Sequence, residues 1–133
     1  MNEVFAREER AQSLVEFAIG VVLLLVILAG VIDLGRGFHA YVIITNAARE
    51  GARYGASYPE GDIKVKVIAE ANGSGVILTT DEVNVSFLKP PEEANPKGFP
   101  VRVDVHYEFE PVLGAFLGLL KITLNSSAQM IVM

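Results

Sequence analysis

The feature that most constrains this chain is residues 17–32, "FAIGVVLLLVILAGVI". These sixteen residues contain no charge and no Asn, Gln, Ser or Thr. Extended back to Ala11, the apolar stretch reaches 22 residues, interrupted by Gln12, Ser13 and Glu16. A membrane helix needs roughly 20 predominantly apolar residues to cross a hydrocarbon core about 30 Å thick. Asp33 and Arg36 close the run on its far side. Residues 17–32 are a little short alone, which snorkelling flanks or local thinning of the bilayer accommodate. The run exceeds the usual 7–15-residue core of a secretory signal, and no small-x-small site follows it closely. It therefore reads as a retained anchor. Arg7 and Arg10 on the near side favour the N-terminus inside and the remainder outside.

Helical signals continue past Ile32. "DLGRGFHAYVIITNAAREGARYGASYP" has no proline before Pro59. One helix over about residues 5–57 would be roughly 80 Å long at 1.5 Å per residue, so its second half must pack outside lipid. Gly30, Gly35 and Gly37 weaken it, and "LGRG" is the place where it could bend or melt. In "TNAAREGARYGA", Ala47, Gly51 and Gly55 form one row at i, i+4 spacing. Ala48, Ala52 and Ala56 form the adjacent row. Small rows admit another backbone closely. Packing against the chain's own head is the first reading, and one helix can serve an intersubunit contact as well.

Pro59 and Gly61 break the helix. Asp62 then fits a helix N-cap and Asn72–Gly73 the end of a short helix. "EVNVSFL" (82–88) alternates as a strand, and "KPPEEANPKGFP" is loop. "VRVDVHYEFE" (101–110) is the clearest strand. Val101, Val103, Val105, Tyr107 and Phe109 face one way; Arg102, Asp104, His106, Glu108 and Glu110 face the other. "PVLGAFLGLL" is an apolar connector, and "KITLNSSAQMIVM" a final strand. The expected fold class is α+β: a long N-terminal helix whose C-terminal half packs on an antiparallel sheet of about three strands, with one short helix. The domain reading is 1–11 leader, 12–57 long helix and 58–133 extracytoplasmic head.

Chemistry is sparse. The chain has 133 residues, net charge −5 and no cysteine, so thiol catalysis, disulfides and thiolate zinc sites are excluded and nucleic acid is no natural partner. Glu92–Glu93 sit in the proline-rich loop. Asp104, His106, Glu108 and Glu110 line a polar strand face of the kind that is usually just solvated, and the reading is no metal. His39 stands in the long helix with no cluster nearby. No nucleophile elbow, phosphate loop or dinucleotide fingerprint occurs in the right setting, so no enzyme activity and no cofactor are expected. Asn72, Asn84 and Asn125 open N-x-S/T sequons, candidate glycosylation acceptors in the external half.

Several N-terminal features coincide. A short charged segment precedes Ala11; "QSLVE" follows, with Glu16 fifth from Gln12; then comes the apolar run. An acid inside or at the edge of a membrane segment calls for a named partner or for a place at headgroup level. "RAQSLVEFAIGVVLLLVILAGVIDLGR" followed by "NAAREGARYGA" resembles the TadE-like proteins, pilin-like components of tight-adherence pilus systems within the type IV pilin and pseudopilin group. The resemblance is specific over about residues 9–56. The stretch "VHYEFEPVLGAFLGLLKITLNSSAQM" is also similar, less specifically.

The resemblance implies cutting by a prepilin peptidase at the Ala11–Gln12 bond and an assembly role for Glu16, paired with the freed amine of a neighbouring subunit. It implies a subunit held in the cytoplasmic membrane before assembly and then exported into an extracellular homo-oligomeric filament, with the pilus assembly machinery as partner. A minor pseudopilin or single-pass membrane-anchored adaptor is the alternative. Ala11 stands where the group usually has glycine, and Gly20 where its apolar segment often has proline.

Overall fold

In the computed structural model, residues 2–118 and 121–133 are described. Met1 of the expected leader, and Leu119 and Leu120 of the apolar connector, lie outside the described residues. The element order is α1 (Asn2–Ser57), α2 (Ile63–Gly73), a short 3-10 turn (Thr80–Glu82), β1 (Val83–Phe87), β2 (Pro100–Phe109), α3 (Val112–Leu117) and β3 (Ile122–Ile131). The long helix, the small antiparallel sheet and the short helix α2 give the expected α+β arrangement.

Helix α1 is unbroken through "LGRG", where the sequence allowed a bend or a melted turn. The physical reason is contact with the head. The Arg36 guanidinium lies 5.4 Å from the Phe109 ring centroid, and a Cβ placed on Gly37 would sit 3.5 Å from that ring. Asp33, one turn earlier, bonds to α3 (below). These contacts offset the cost of roughly 1 kcal/mol that each exposed helical glycine carries relative to alanine.

The sheet has the order β1-β2-β3 and is antiparallel throughout. Val83 pairs with Val105 and Phe87 with Val101; on the other side Pro100 pairs with Ile131 and Phe109 with Ile122. Strand alternation sets the faces. Val101, Val103 and Val105 are fully buried and Phe109 nearly so, while the intervening side chains stay on the outer face. The second half of α1 and helix α2 cover the inner face. The core joins Ile44, Ala47, Ala48, Ala52 and Ala56 of α1 to Ile63, Val67 and Ala71 of α2, to Val83 and to the β2 valines.

The local signals for α2 act through identifiable bonds. The Asp62 carboxylate accepts from the Val65 N–H at 3.2 Å, satisfying one of the donors a helix start leaves free. The 3-10 turn carries a capping box, Thr79 with Glu82. At the far end of α1, the Met133 N–H donates to the Ala56 carbonyl at 3.0 Å, so the chain after β3 satisfies a helix-end acceptor.

One element departs from the expectation. The connector after β2 contains a second short helix, α3, rather than irregular chain. Pro111 stands at its N-cap in an extended conformation. Gly118 closes it in the left-handed region, φ 64°, which glycine adopts without a Cβ penalty.

Candidate functional site

The long helix divides into a bare half and a docked half. From Arg10 to Leu28 every residue is exposed, including the large apolar side chains Leu14, Phe17, Leu24 and Ile27. Among the described residues this is the one helix long and apolar enough to cross a membrane, by length and composition. Ala11, Gln12 and Glu16 lie on this bare half, all exposed. Among the described residues no hydrogen bond or ion pair joins Glu16 to the head, and the first hydrogen bonds between α1 and the head are those of Asp33.

The two rows of small residues lie in the docked half. Ala47, Ala48, Gly51, Ala52, Gly55 and Ala56 are all buried beneath the head. A Cβ on Gly51 would overlap a γ-methyl of Val67 and lie 3.6 Å from Val103. On Gly55 it would come within 2.6 Å of Ile63 Cδ1 and 3.3 Å of Val101 Cγ2. Glycine is required at both by close approach, not by backbone conformation. The rows thus face intramolecular partners, α2 and β2, and leave little of their surface for a neighbour.

Between the halves sits a junction that sequence reasoning missed. Asp33 is the single buried charged side chain among the described residues. Its carboxylate accepts from the backbone N–H of Val112 at 2.9 Å and of Leu113 at 2.7 Å, the first donors of α3. It also accepts from Arg36 Nη1 at 3.1 Å. A carboxylate at a helix start satisfies donors that would otherwise be orphaned, and such charge-assisted bonds are the stronger kind. The sequence offered one signal: an acid directly after an apolar run, with an apolar turn behind a proline elsewhere in need of an acceptor. The 79-residue separation hides the pairing.

Beside this junction lies an open apolar cleft of about 510 Å³. Gly30, Leu34, Phe38 and Tyr41 of α1 form one wall; Phe109, Leu113 and Ile122 form the other. Helix α3, which supplies Leu113 to the cleft, also carries the exposed side chains of Val112 and Phe116.

The polar strand face is held by pairs. Arg102 bonds Asp104 at 2.9 Å; Lys121 reaches Glu108 at 3.1 Å and Glu110 at 2.9 Å; His106 Nδ1 lies 2.7 Å from Asn125 Oδ1. Hydrogen bonds to Glu110, then Glu108, raise the Lys121 pKa above its ordinary value. No group of three or more His, Asp or Glu among the described residues could hold a metal ion. On the docked half of α1, hydrogen bonding to Arg53 lowers the Glu50 pKa, with Lys66 adding attraction.

The sequon asparagines differ. Asn84 is exposed on β1, at the free edge of the sheet. Asn72 accepts from the Leu78 N–H at 3.0 Å, and Asn125 is the partner of His106. Two of the three side-chain amides thus already serve internal bonds.

Residues 11–53 match the model of the family described as TadE-like protein. The matched stretch covers about a third of the chain. It begins at the bare half, runs through Asp33 and ends within the small-residue rows. No curated protein and no solved structure matches the chain.

Proposed function

We propose that the chain is a pilin-like subunit of the TadE-like group, anchored with its N-terminus inside and its head outside, and then assembled into an extracellular filament. The observation that carries the reading is the division of α1. A docked half is consumed by the head, and a bare apolar half of matched TadE-like sequence is left for surroundings that are not its own chain. Residues 17–32 rise about 24 Å at 1.5 Å per residue, enough to traverse most of a bilayer core.

In this reading no reaction is catalysed. The bare helix exchanges lipid for neighbouring helices. Lipid is already apolar, so packing and polar pairing must bias the exchange, driven by the assembly machinery as external partner. Cutting at Ala11–Gln12 by a prepilin peptidase would free an amine on Gln12. Glu16 of a neighbour would receive it. Both charges are costly alone in apolar surroundings and compensate when paired, fixing axial register more than adding stability. Exposure of Ala11, Gln12 and Glu16 supports access to each.

The test has two parts. Surface-sheared protein is sequenced from its N-terminus, and Gln12 as first residue is expected. Glu16→Ala is expected to insert normally and to fail in assembly; unchanged filament yield removes the pairing. Recovery of the protein in membranes alone, with none in the sheared fraction, selects the adaptor or minor pseudopilin instead.

A further inference from the structure

The base of the head carries apolar surface with no partner in the fold. On α3, Phe116 is 89% exposed and Val112 53%. On the facing side of α1, Leu34 is 75% and Phe38 68% exposed, and Ile122 at the start of β3 is 50% exposed. Leu34, Phe38 and Ile122 line the apolar cleft beside Asp33, and α3 reaches it through Leu113. A patch of large apolar side chains at one end of a small head marks a contact surface rather than ordinary surface scatter.

Its height along α1 identifies what it meets. The two bonds from Asp33 to the Val112 and Leu113 amides tie the start of α3 to the residue directly after the apolar run. The Phe109 ring against Gly37 ties the end of β2 one turn higher. Residues 33–37 reach only about 7.5 Å beyond Ile32. The polar layer between hydrocarbon and water is about 5–8 Å thick on each side of a bilayer. If α1 spans a membrane, α3 therefore lies within that layer and cannot stand clear of it. The apolar run is also short, about 24 Å against a core of about 30 Å. The patch supplies additional apolar surface at the end where that shortfall can be made good. Its surface is continuous with the bare helix through Gly30 and Leu34, so the medium that covers one reaches the other. Arg36, half-exposed beside the patch, can extend its guanidinium to headgroup level.

We infer that α3 and the flanking Leu34 and Phe38 form a lipid-seating surface: before assembly, the base of the head rests in the outer interface of the bilayer, with Phe116 inserted at the upper acyl chains. The inference rests on the membrane-spanning reading of α1.

The chain contains no tryptophan, so single reporters are clean. Phe116→Trp, Leu34→Trp and Leu24→Trp are each made in the full chain. Leu34 and Leu24 are also exposed, so none of the three substitutions disturbs the core. Each protein is reconstituted into phosphatidylcholine vesicles with bromine on either the upper or the terminal part of the acyl chains. Phe116→Trp and Leu34→Trp are expected to lose fluorescence mainly to the upper bromines, and Leu24→Trp mainly to the terminal ones.

Quenching of Leu24→Trp with Phe116→Trp unquenched by either lipid and open to aqueous acrylamide overturns the seating while leaving the span intact. A Phe116→Trp signal shielded from acrylamide yet insensitive to bromine, and growing with protein-to-lipid ratio, assigns the patch to a second copy and likewise overturns it. Failure of both lipids to quench Leu24→Trp removes the span, and the seating with it.

Discussion

The two halves of α1 belong to one uninterrupted helix and are both apolar, yet they have opposite surroundings. Residues 14–28 carry Leu, Val, Ile and Phe, all exposed; residues 40–56 bury Ala, Gly and Ile beneath a sheet and a second helix. Side-chain volume, rather than hydrophobicity, separates them. Small side chains allow α2 and β2 to approach until Val67 and Ile63 lie against bare backbone at Gly51 and Gly55. Bulky aliphatic side chains hold any neighbour farther off and suit a partner of no fixed shape, such as lipid, or other helices packed in many orientations.

The sharpest way to break this contrast is one truncation in each half. Ile44→Ala removes a fully buried side chain and is expected to destabilise the head by about 2–5 kcal/mol. Leu24→Ala, with nothing packed on it, is expected to stay within about 0.5 kcal/mol. Unfolding of the full chain in detergent, followed through the head, measures both; equal losses would show that the halves are not independent. Next in size, Gly51→Val should cost about 1–3 kcal/mol through overpacking against Val67. Pairing it with Val67→Ala, which makes room, should restore part of the loss.

A third test concerns the junction. Asp33→Ala leaves the Val112 and Leu113 amides without their acceptor, and their hydrogen exchange should accelerate while the β2 valine amides remain protected. Asp33→Asn, which keeps one acceptor oxygen, should lie between. The smallest effect is electrostatic. The folded-state pKa of Glu50 is depressed, so its contribution is complete above the unfolded value of 4.5 and fades as pH falls through the lower folded value. Acid titration of stability should therefore show a slight additional loss below that value, absent in Glu50→Gln.

Periodicity made much of the architecture legible. Unbroken helical spacing to Pro59, the Asp62 cap and the β2 alternation each rest on contacts local in sequence, and each element formed close to its expected bounds. The α3 helix was not legible, because six apolar residues behind a proline acquire helical form through an acceptor 79 residues away. For the same reason "LGRG" looked weak: its support comes from Phe109 and α3, which local propensity does not include. The candidate site divides in the same manner. Glu16 and the Ala11–Gln12 bond stand out in the sequence against the apolar run, and they lie exposed on the bare half of α1. Asp33 looked like a mere stop to the apolar run, although it anchors the base of the head.

The continuity of α1 also makes the head a pointer. Seventeen residues separate Glu16 from Asp33, and at about 100° per residue they place the two side chains about 100° apart in azimuth. With no hinge between them, any contact that fixes the direction of Glu16 fixes the compass bearing of the head as well. One inserted residue between them would swing that bearing by about 100° while lifting the head only about 1.5 Å.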